Sequence, residues 1–418
     1  MIEVLRSSWK LGDLRRKITF TLLMLVVFRI GVHVPVPGIN KQVIADLIAQ
    51  GQLLGFFDVI SGGAFKNFSI FAMSITPYIN SSIIMQLLTV VVPALERLAK
   101  EGPEGRKKIT EYTRYGTVIL GFIQAIGISF GLRNAIINPG IGSTLLIALS
   151  LTAGTAFLMW LGELITEKGI GNGISLIIFA GIVSRVPAGV VSIYEYLKVG
   201  TTNIFAVILF AVLAVVVIAG VVAIQEGQRR ISVQYAKRVV GRRVYGGQST
   251  HIPLKVNQAG VIPVIFAMSI LMFPGTLASW FPNNTFAIWI TRIFDFRTVW
   301  YQLLYALLII FFTYFYTAIT FNPNDIAENM KKYGGFIPGL RPGRPTAEYI
   351  EKVANRITLA GAIFLAGIAI LPSIIIATTN LPVYFGGTAL LIVVGVALDT
   401  MKQIESHLLM RHYQGFLK

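Results

Sequence analysis

Along this chain, long apolar runs alternate with short segments rich in charge, proline and glycine. The runs fall near residues 18–34, 70–92, 114–133, 144–166, 174–193, 203–224, 259–280, 299–321, 355–377 and 383–402. Runs of about 20 apolar residues match the length an α-helix needs to cross bilayer hydrocarbon. The pattern predicts an all-α integral membrane protein with ten transmembrane helices. Two regions break it. Residues 35–69 contain Phe56-Phe57-Asp58-Val59-Ile60-Ser61-Gly62-Gly63-Ala64-Phe65, apolar but too short to cross. This segment reads either as an interfacial helix on the outer surface or as a re-entrant half-helix. The second is tolerated only when buried in protein or lining a wet cavity. Residues 281–298 read as a short interfacial segment with an aromatic anchor.

The polar segments orient the runs. With the N-terminal segment 1–17 inside, the inner segments hold 28 Lys and Arg residues and the outer segments seven, with Arg29 inside the first run. Basic residues are retained on the cytoplasmic side, so this split places both termini, including the tail 403–418, in the cytoplasm. The two largest inner loops are 225–258 and 322–354. In the first, partial alternation around Gly246-Gly247 predicts a protruding hairpin. In the second, Phe336-Ile337-Pro338-Gly339-Leu340-Arg341-Pro342-Gly343 predicts a rigid, turn-rich tip that presents Arg341.

Composition changes this picture little. The chain is 55% hydrophobic and 13% charged, where soluble domains carry about 25% charged residues. The net charge of +17 would suit a nucleic-acid binder, but the basic residues sit in loops between apolar runs. There is no cysteine, which excludes disulfides, thiolate metal sites and cysteine nucleophiles. The first run leads into Val34-Pro35-Val36-Pro37-Gly38 instead of a small-residue cleavage site, so it reads as a retained helix.

No enzyme site emerges, and no cofactor or metal is expected. The histidines His33, His251, His407 and His412 show no ligand spacing beyond the last pair. Five residues apart, that pair shares a helix face poorly. No Gly-x-x-x-x-Gly-Lys-Ser/Thr loop is present. Gly169-Ile170-Gly171-Asn172-Gly173 joins two apolar runs and reads as a tight turn, not a dinucleotide fingerprint. Gly127-x-x-x-Gly131 is a close-packing signal. An ion-coupled transporter places titratable groups near mid-membrane. The candidates here, Arg29, Glu163 and Asp399, lie near the ends of their runs, where they can snorkel or pair. Ile75/Ile79 and Ile174/Ile178 are each spaced i,i+4 and share a helix face, which suits lipid contact, packing or a lining. Pro77 and Pro263 fall inside two runs and are expected to weaken or kink them.

Several stretches together carry a family resemblance. They include Phe28-Arg29-Ile30-Gly31, Ser61-Gly62-Gly63-Ala64, Pro77-Tyr78-Ile79-Asn80, Tyr112-Thr113-Arg114-Tyr115-Gly116, Gly169 to Ser175, Gln225-Glu226-Gly227-Gln228-Arg229-Arg230, Phe336 to Gly343 and Tyr384-Phe385-Gly386-Gly387-Thr388. In order and spacing the chain resembles the SecY family, the main subunits of bacterial protein-conducting channels. The resemblance implies two inverted five-helix halves, 18–193 and 203–402, around an hourglass pore. It implies a pore ring at Ile75, Ile79, Ile174, Ile178, Ile265 and Ile392. It also implies a plug near 57–66, carrying Phe57, Ile60, Ser61, Gly62, Gly63, Ala64 and Phe65. Helices two and three against seven and eight would form a lateral gate. The basic loops, with Arg229, Arg230, Lys237, Arg238, Arg242, Arg243, Lys331, Lys332 and Arg341, would dock a ribosome or the SecA ATPase. SecE and SecG would be partner subunits, and signal sequences, nascent chains and lipids the other contacts. The function implied is passage of unfolded secretory proteins and lateral release of membrane helices. A secondary transporter of a small solute and a membrane-anchored ribosome receptor are the competing readings.

Overall fold

A computed structural model describes residues 9, 11–40, 42–44, 58, 61–200, 203–235, 238–240, 243–245, 249–279, 284–294, 298–379 and 387–415. Each of the ten apolar runs falls on a helix. These are α1 (Gly12–Gly31), α2 (Thr76–Val91), α4 (Pro103–Gly131), α5 (Ile141–Lys168), α6 (Gly173–Val199), α7 (Ile204–Glu226), α8 (Ile262–Ser279), α10 (Val299–Thr320), α12 (Arg344–Thr379) and α13 (Gly387–Gly415). Three shorter helices join them: α3 (Pro93–Lys100), α9 (Thr285–Ile293) and α11 (Pro323–Lys332). Hydrocarbon offers no water to a bare N–H or C=O, so an apolar run must close its backbone bonds within itself. Among the described residues, α5, α6, α7, α10 and α12 contain stretches long and apolar enough to cross a membrane. A sixth candidate is α2 with α3, bent by 99°.

The prolines differ from expectation. Pro77 and Pro263 are each the second residue of their helix, α2 and α8. There the missing N–H has no intrahelical partner to lose, so proline starts these helices instead of kinking them. Pro187 in α6 and Pro274 in α8 occupy helix interiors.

The helix packing repeats. In the first half α1 packs on α5 and α6, α2 on α4 and α5, α4 on α5, and α5 on α6. In the second half α7 packs on α12 and α13, α8 on α10 and α12, α10 on α12, and α12 on α13. Counting the long helices of each half in order, these are the same pairings. An odd number of crossings per half, as the ten apolar runs predict, would turn the second half over relative to the first. Between the halves, α2 and α4 meet α8 along one side, and α6 meets α13. The α2–α8 and α6–α13 pairs each join a helix to its own counterpart, as a pseudo-twofold axis requires.

The two large polar loops fold into one unit. Strands β1 (Gln228–Tyr235) and β4 (Ser249–Lys255) pair antiparallel from Gln228↔Lys255 to Gln234↔Ser249. Between them β2 (Arg238–Val240) and β3 (Arg243–Tyr245) form a small hairpin. The second loop adds β5 (Gly335–Phe336) to β1 through Gln234↔Phe336. Alternation does what period two predicts. Ile231 and Val233 turn inward to pack with Leu254, Met330, Ile337 and Ile350, while Arg229 and Arg230 stay exposed. Of the expected short segment at 281–298, α9 is the main described part, with Phe286 stacked on Trp289.

An apolar constriction and its polar seat

Four helices bring isoleucines to one point. Ile79 sits on α2, Ile178 on α6, Ile265 on α8 and Ile392 on α13, and all four line one cavity of only about 10 Å³. That is room for about one water molecule. All four are buried, from 1% exposed at Ile392 to 7% at Ile79. Ile75, one turn before Ile79, is buried in the same apolar cluster without lining the cavity. Ile174 packs partly buried against that cluster and lies against Gly162 of α5. The structure therefore gathers all six into one cluster, four of them around a shared gap.

The gap has further walls that the sequence reading missed: Ala72, Ser74, Thr76, Met268, Ser269 and Met272. Along α8, positions 265, 268, 269 and 272 follow the i, i+3, i+4, i+7 rhythm of one helix face. That signal was present in the sequence. Ser74 had no such signal, since it takes a left-handed backbone, φ 52°. A non-glycine residue rarely accepts this conformation, and it clusters at functional sites.

A second, wider cavity of about 420 Å³ meets the first at Ile265. Its walls are mixed: Asn172, Lys255, Asp399, Lys402 and Gln403 stand beside Val261, Ile262 and Val396. Helix α13 supplies one stripe to both spaces. Ile392 lies at the narrow gap, and Val396, Asp399, Thr400, Gln403 and His407 follow at helical spacing into the wide one. The Gly169–Gly173 turn borders this space and is tight, as expected, with Gly171 at φ +85°. Thr21 Oγ1 accepts from Ile170 N–H at 3.0 Å, and Gln403 Oε1 accepts from Gly171 N–H at 2.8 Å. The turn is thereby stitched to α1 and α13.

On the other side of the constriction lies the short apolar segment. Its described residues Asp58, Ser61, Gly62, Gly63, Ala64 and Phe65 are all buried, while Phe57 and Ile60 lie outside the described residues. The interfacial reading is therefore corrected: these residues are turns packed inside the protein. Ala64 shares the apolar cluster of the isoleucines. The chain returns to α2 along a bridge between Pro35 and Ser69, with Val36 N–H donating to Phe68 C=O at 2.9 Å. Gly62 rests on the backbone of Gly181 in α6. Of the three ionisable candidates, Arg29 and Glu163 each have a polar partner of their own. Arg29 donates to Gly62 C=O at 2.7 Å, and Arg114 Nε donates to Glu163 at 2.9 Å. Asp399 faces the wide cavity instead.

The basic loop residues occupy the β unit. Arg229, Arg230, Lys331, Lys332 and Arg341 are exposed. Arg238 and Arg243 lie on β2 and β3. Lys237 and Arg242 fall outside the described residues. Thr346 Oγ1 donates to Arg341 C=O at 2.8 Å, which fixes the tip. Among the described residues, no cluster of His, Asp and Glu could hold a metal ion.

The family model described as SecY matches residues 69–401. The chain belongs to the SecY family. It is 54% identical to the protein translocase subunit SecY of Halalkalibacterium halodurans, over 100% of both chains. Two solved structures share the fold. One is that described by "The plug domain of the SecY protein stabilizes the closed state of the translocation channel and maintains a membrane seal", at TM-score 0.67 and 18% identity, covering 94% of this chain and 92% of that one. The other is Sec61 in the canine ribosome-channel complex from the endoplasmic reticulum, at TM-score 0.60 and 18% identity, with the same coverage. The protein is thus a multi-pass membrane protein and a translocase subunit, not an enzyme.

Proposed function

We propose that this SecY-family chain conducts unfolded secretory polypeptides through the isoleucine constriction, and that the segment near 57–66 is the plug that covers it at rest. One observation carries the reading. Aliphatic side chains from both halves, on α2, α6, α8 and α13, close to a gap of about 10 Å³ beside a wider cavity of about 420 Å³ that carries Lys255, Asp399 and Lys402. Such a collar keeps water and ions out by dewetting. Because dispersion contact is non-directional, the collar can part around any sequence without holding it tightly.

The seam where α2 and α4 meet α8, together with α10, would be the lateral gate through which signal sequences and membrane helices reach lipid. The ten helices would all span the cytoplasmic membrane. Both termini and the β unit would then face the cytoplasm, as the basic loops favour. There the exposed Arg229, Arg230 and Arg341 suit the phosphate backbone of ribosomal RNA. A ribosome is the partner named for the canine Sec61 relative. SecA would use the same face, and SecE and SecG would pack on the lipid-side helices. No group in the chain supplies energy, so movement is driven by a partner or by translation.

Site-specific crosslinking of a stalled secretory chain tests the reading. A photoreactive residue at position 79 or 265 is expected to capture the stalled chain, and one at the exposed Val215 of α7 is not. Capture at Val215 with none at 79 and 265 would remove the conduit from this place.

A further inference from the structure

The described part of the short apolar segment, Asp58 and residues 61–66, is fastened by two cations from two different helices. Arg185 on α6 pairs with the Asp58 carboxylate through Oδ2. The other oxygen, Oδ1, accepts from Lys66 N–H at 2.7 Å. One carboxylate thus closes the turn and anchors it. The second cation is Arg29 on α1. Its Nη1 donates to Gly62 C=O at 2.7 Å and to Ser184 Oγ at 3.2 Å. Arg29 therefore ties the turn and ties the two anchoring helices to each other. The Asp58 side chain is 6% exposed and that of Arg185 22%, so water screens the pair weakly. Both α1 and α6 belong to the first half, and none of these polar bonds reaches the second. The constriction, by contrast, is shared by both halves.

We propose that Asp58, Arg185 and Arg29 form a latch that keeps the 58–66 turn on the first half and sets how often the resting channel opens. The inference rests on reading that turn as the plug. The polar groups act as a directional lock: they fit in one geometry, and they come apart together. Release exposes a carboxylate and a guanidinium to water, where each is well solvated, so the lock can be reset. Arg29 and Arg185 act through the turn and are positioning residues, since neither faces the gap among the isoleucines.

A double-mutant cycle on the full chain, purified with its channel partners and read as resting ion conductance in planar bilayers, tests this. Asp58→Asn is nearly isosteric, and Arg185→Gln removes the charge while keeping a shorter polar side chain. Each is expected to raise resting open probability about tenfold or more, because each leaves a buried charge without its partner. The double variant D58N/R185Q is expected to leak no more than either single, since one interaction is lost in all three. Additive effects, or singles as tight as the parent, would overturn the latch. Deleting residues 58–66 separates the two ideas. A leaky deletion beside tight single variants sinks the latch alone, whereas a tight deletion sinks the plug reading and the latch with it.

Discussion

The constriction and the seat of the 58–66 turn lie side by side but are built from opposite chemistry. Around the gap, isoleucine and methionine side chains predominate over Ser74, Thr76 and Ser269, so attraction depends mainly on area and not on direction. In the seat, a carboxylate, two guanidiniums and a serine hydroxyl each meet a specific partner. Removing one member of such a buried pair costs about 3–5 kcal/mol, far more than parting a few aliphatic contacts. The difference assigns two jobs. In the proposed channel the apolar ring would open to any cross-section and close again, while the polar seat would have one fitted state and decide when the cover leaves. A single material could not do both.

The comparison is broken most easily at the ring. Replacing Ile79, Ile178, Ile265 and Ile392 together by serine is expected to give the largest rise in resting conductance, because polar walls let the gap hydrate. Each large-to-small change also costs about 2–5 kcal/mol of stability, so conductance is measured on matched amounts of folded complex. Unchanged conductance would show that the seal lies elsewhere.

A smaller effect is expected from Gly62→Ala. Gly62 has φ +67°, and a Cβ there would stand 2.8 Å from Gly181 Cα. The left-handed backbone alone costs about 1–2 kcal/mol for a residue with a side chain. Gly38 is the control, since it has φ +84° with nothing within 4 Å of an added Cβ. Gly62→Ala is expected to leak and Gly38→Ala to stay tight at a similar thermal cost. Equal leakage would mean that backbone strain matters and the fit against α6 does not.

The smallest effect is expected at a solvent-open cation–carboxylate contact between two long helices, α4 and α5. Arg114 and Glu163 have side chains 48% and 22% exposed. Pairs so open to solvent contribute about 0–1 kcal/mol. Glu163→Gln is therefore expected to shift the melting temperature little and to leave conductance at the parent level. A leak as large as that of Asp58→Asn would show that burial is not what distinguishes the two pairs.

The sequence by itself determined the helices, their order and the polar unit between them. Apolar length and charge are local properties, and a bilayer reads them one run at a time. The strands β1 and β4 were legible because alternation at period two is equally local. The β2–β3 hairpin between them was not, and the expected turn at Gly246-Gly247 lies outside the described residues. The isoleucine pairs 75/79 and 174/178, each on one helix face, were legible too. Pro77 and Pro263 were misread because a helix start and a helix interior look alike inside an apolar run. Ile265 and Ile392 came only from family resemblance, and Arg29 gave no hint that it would hold Gly62. Only the tertiary structure decided which faces meet. In lipid every face of a helix is apolar, so hydrophobicity cannot say which one turns inward. That choice is made by packing between residues far apart in the chain, where glycines allow close approach and a few polar groups find the partners they need.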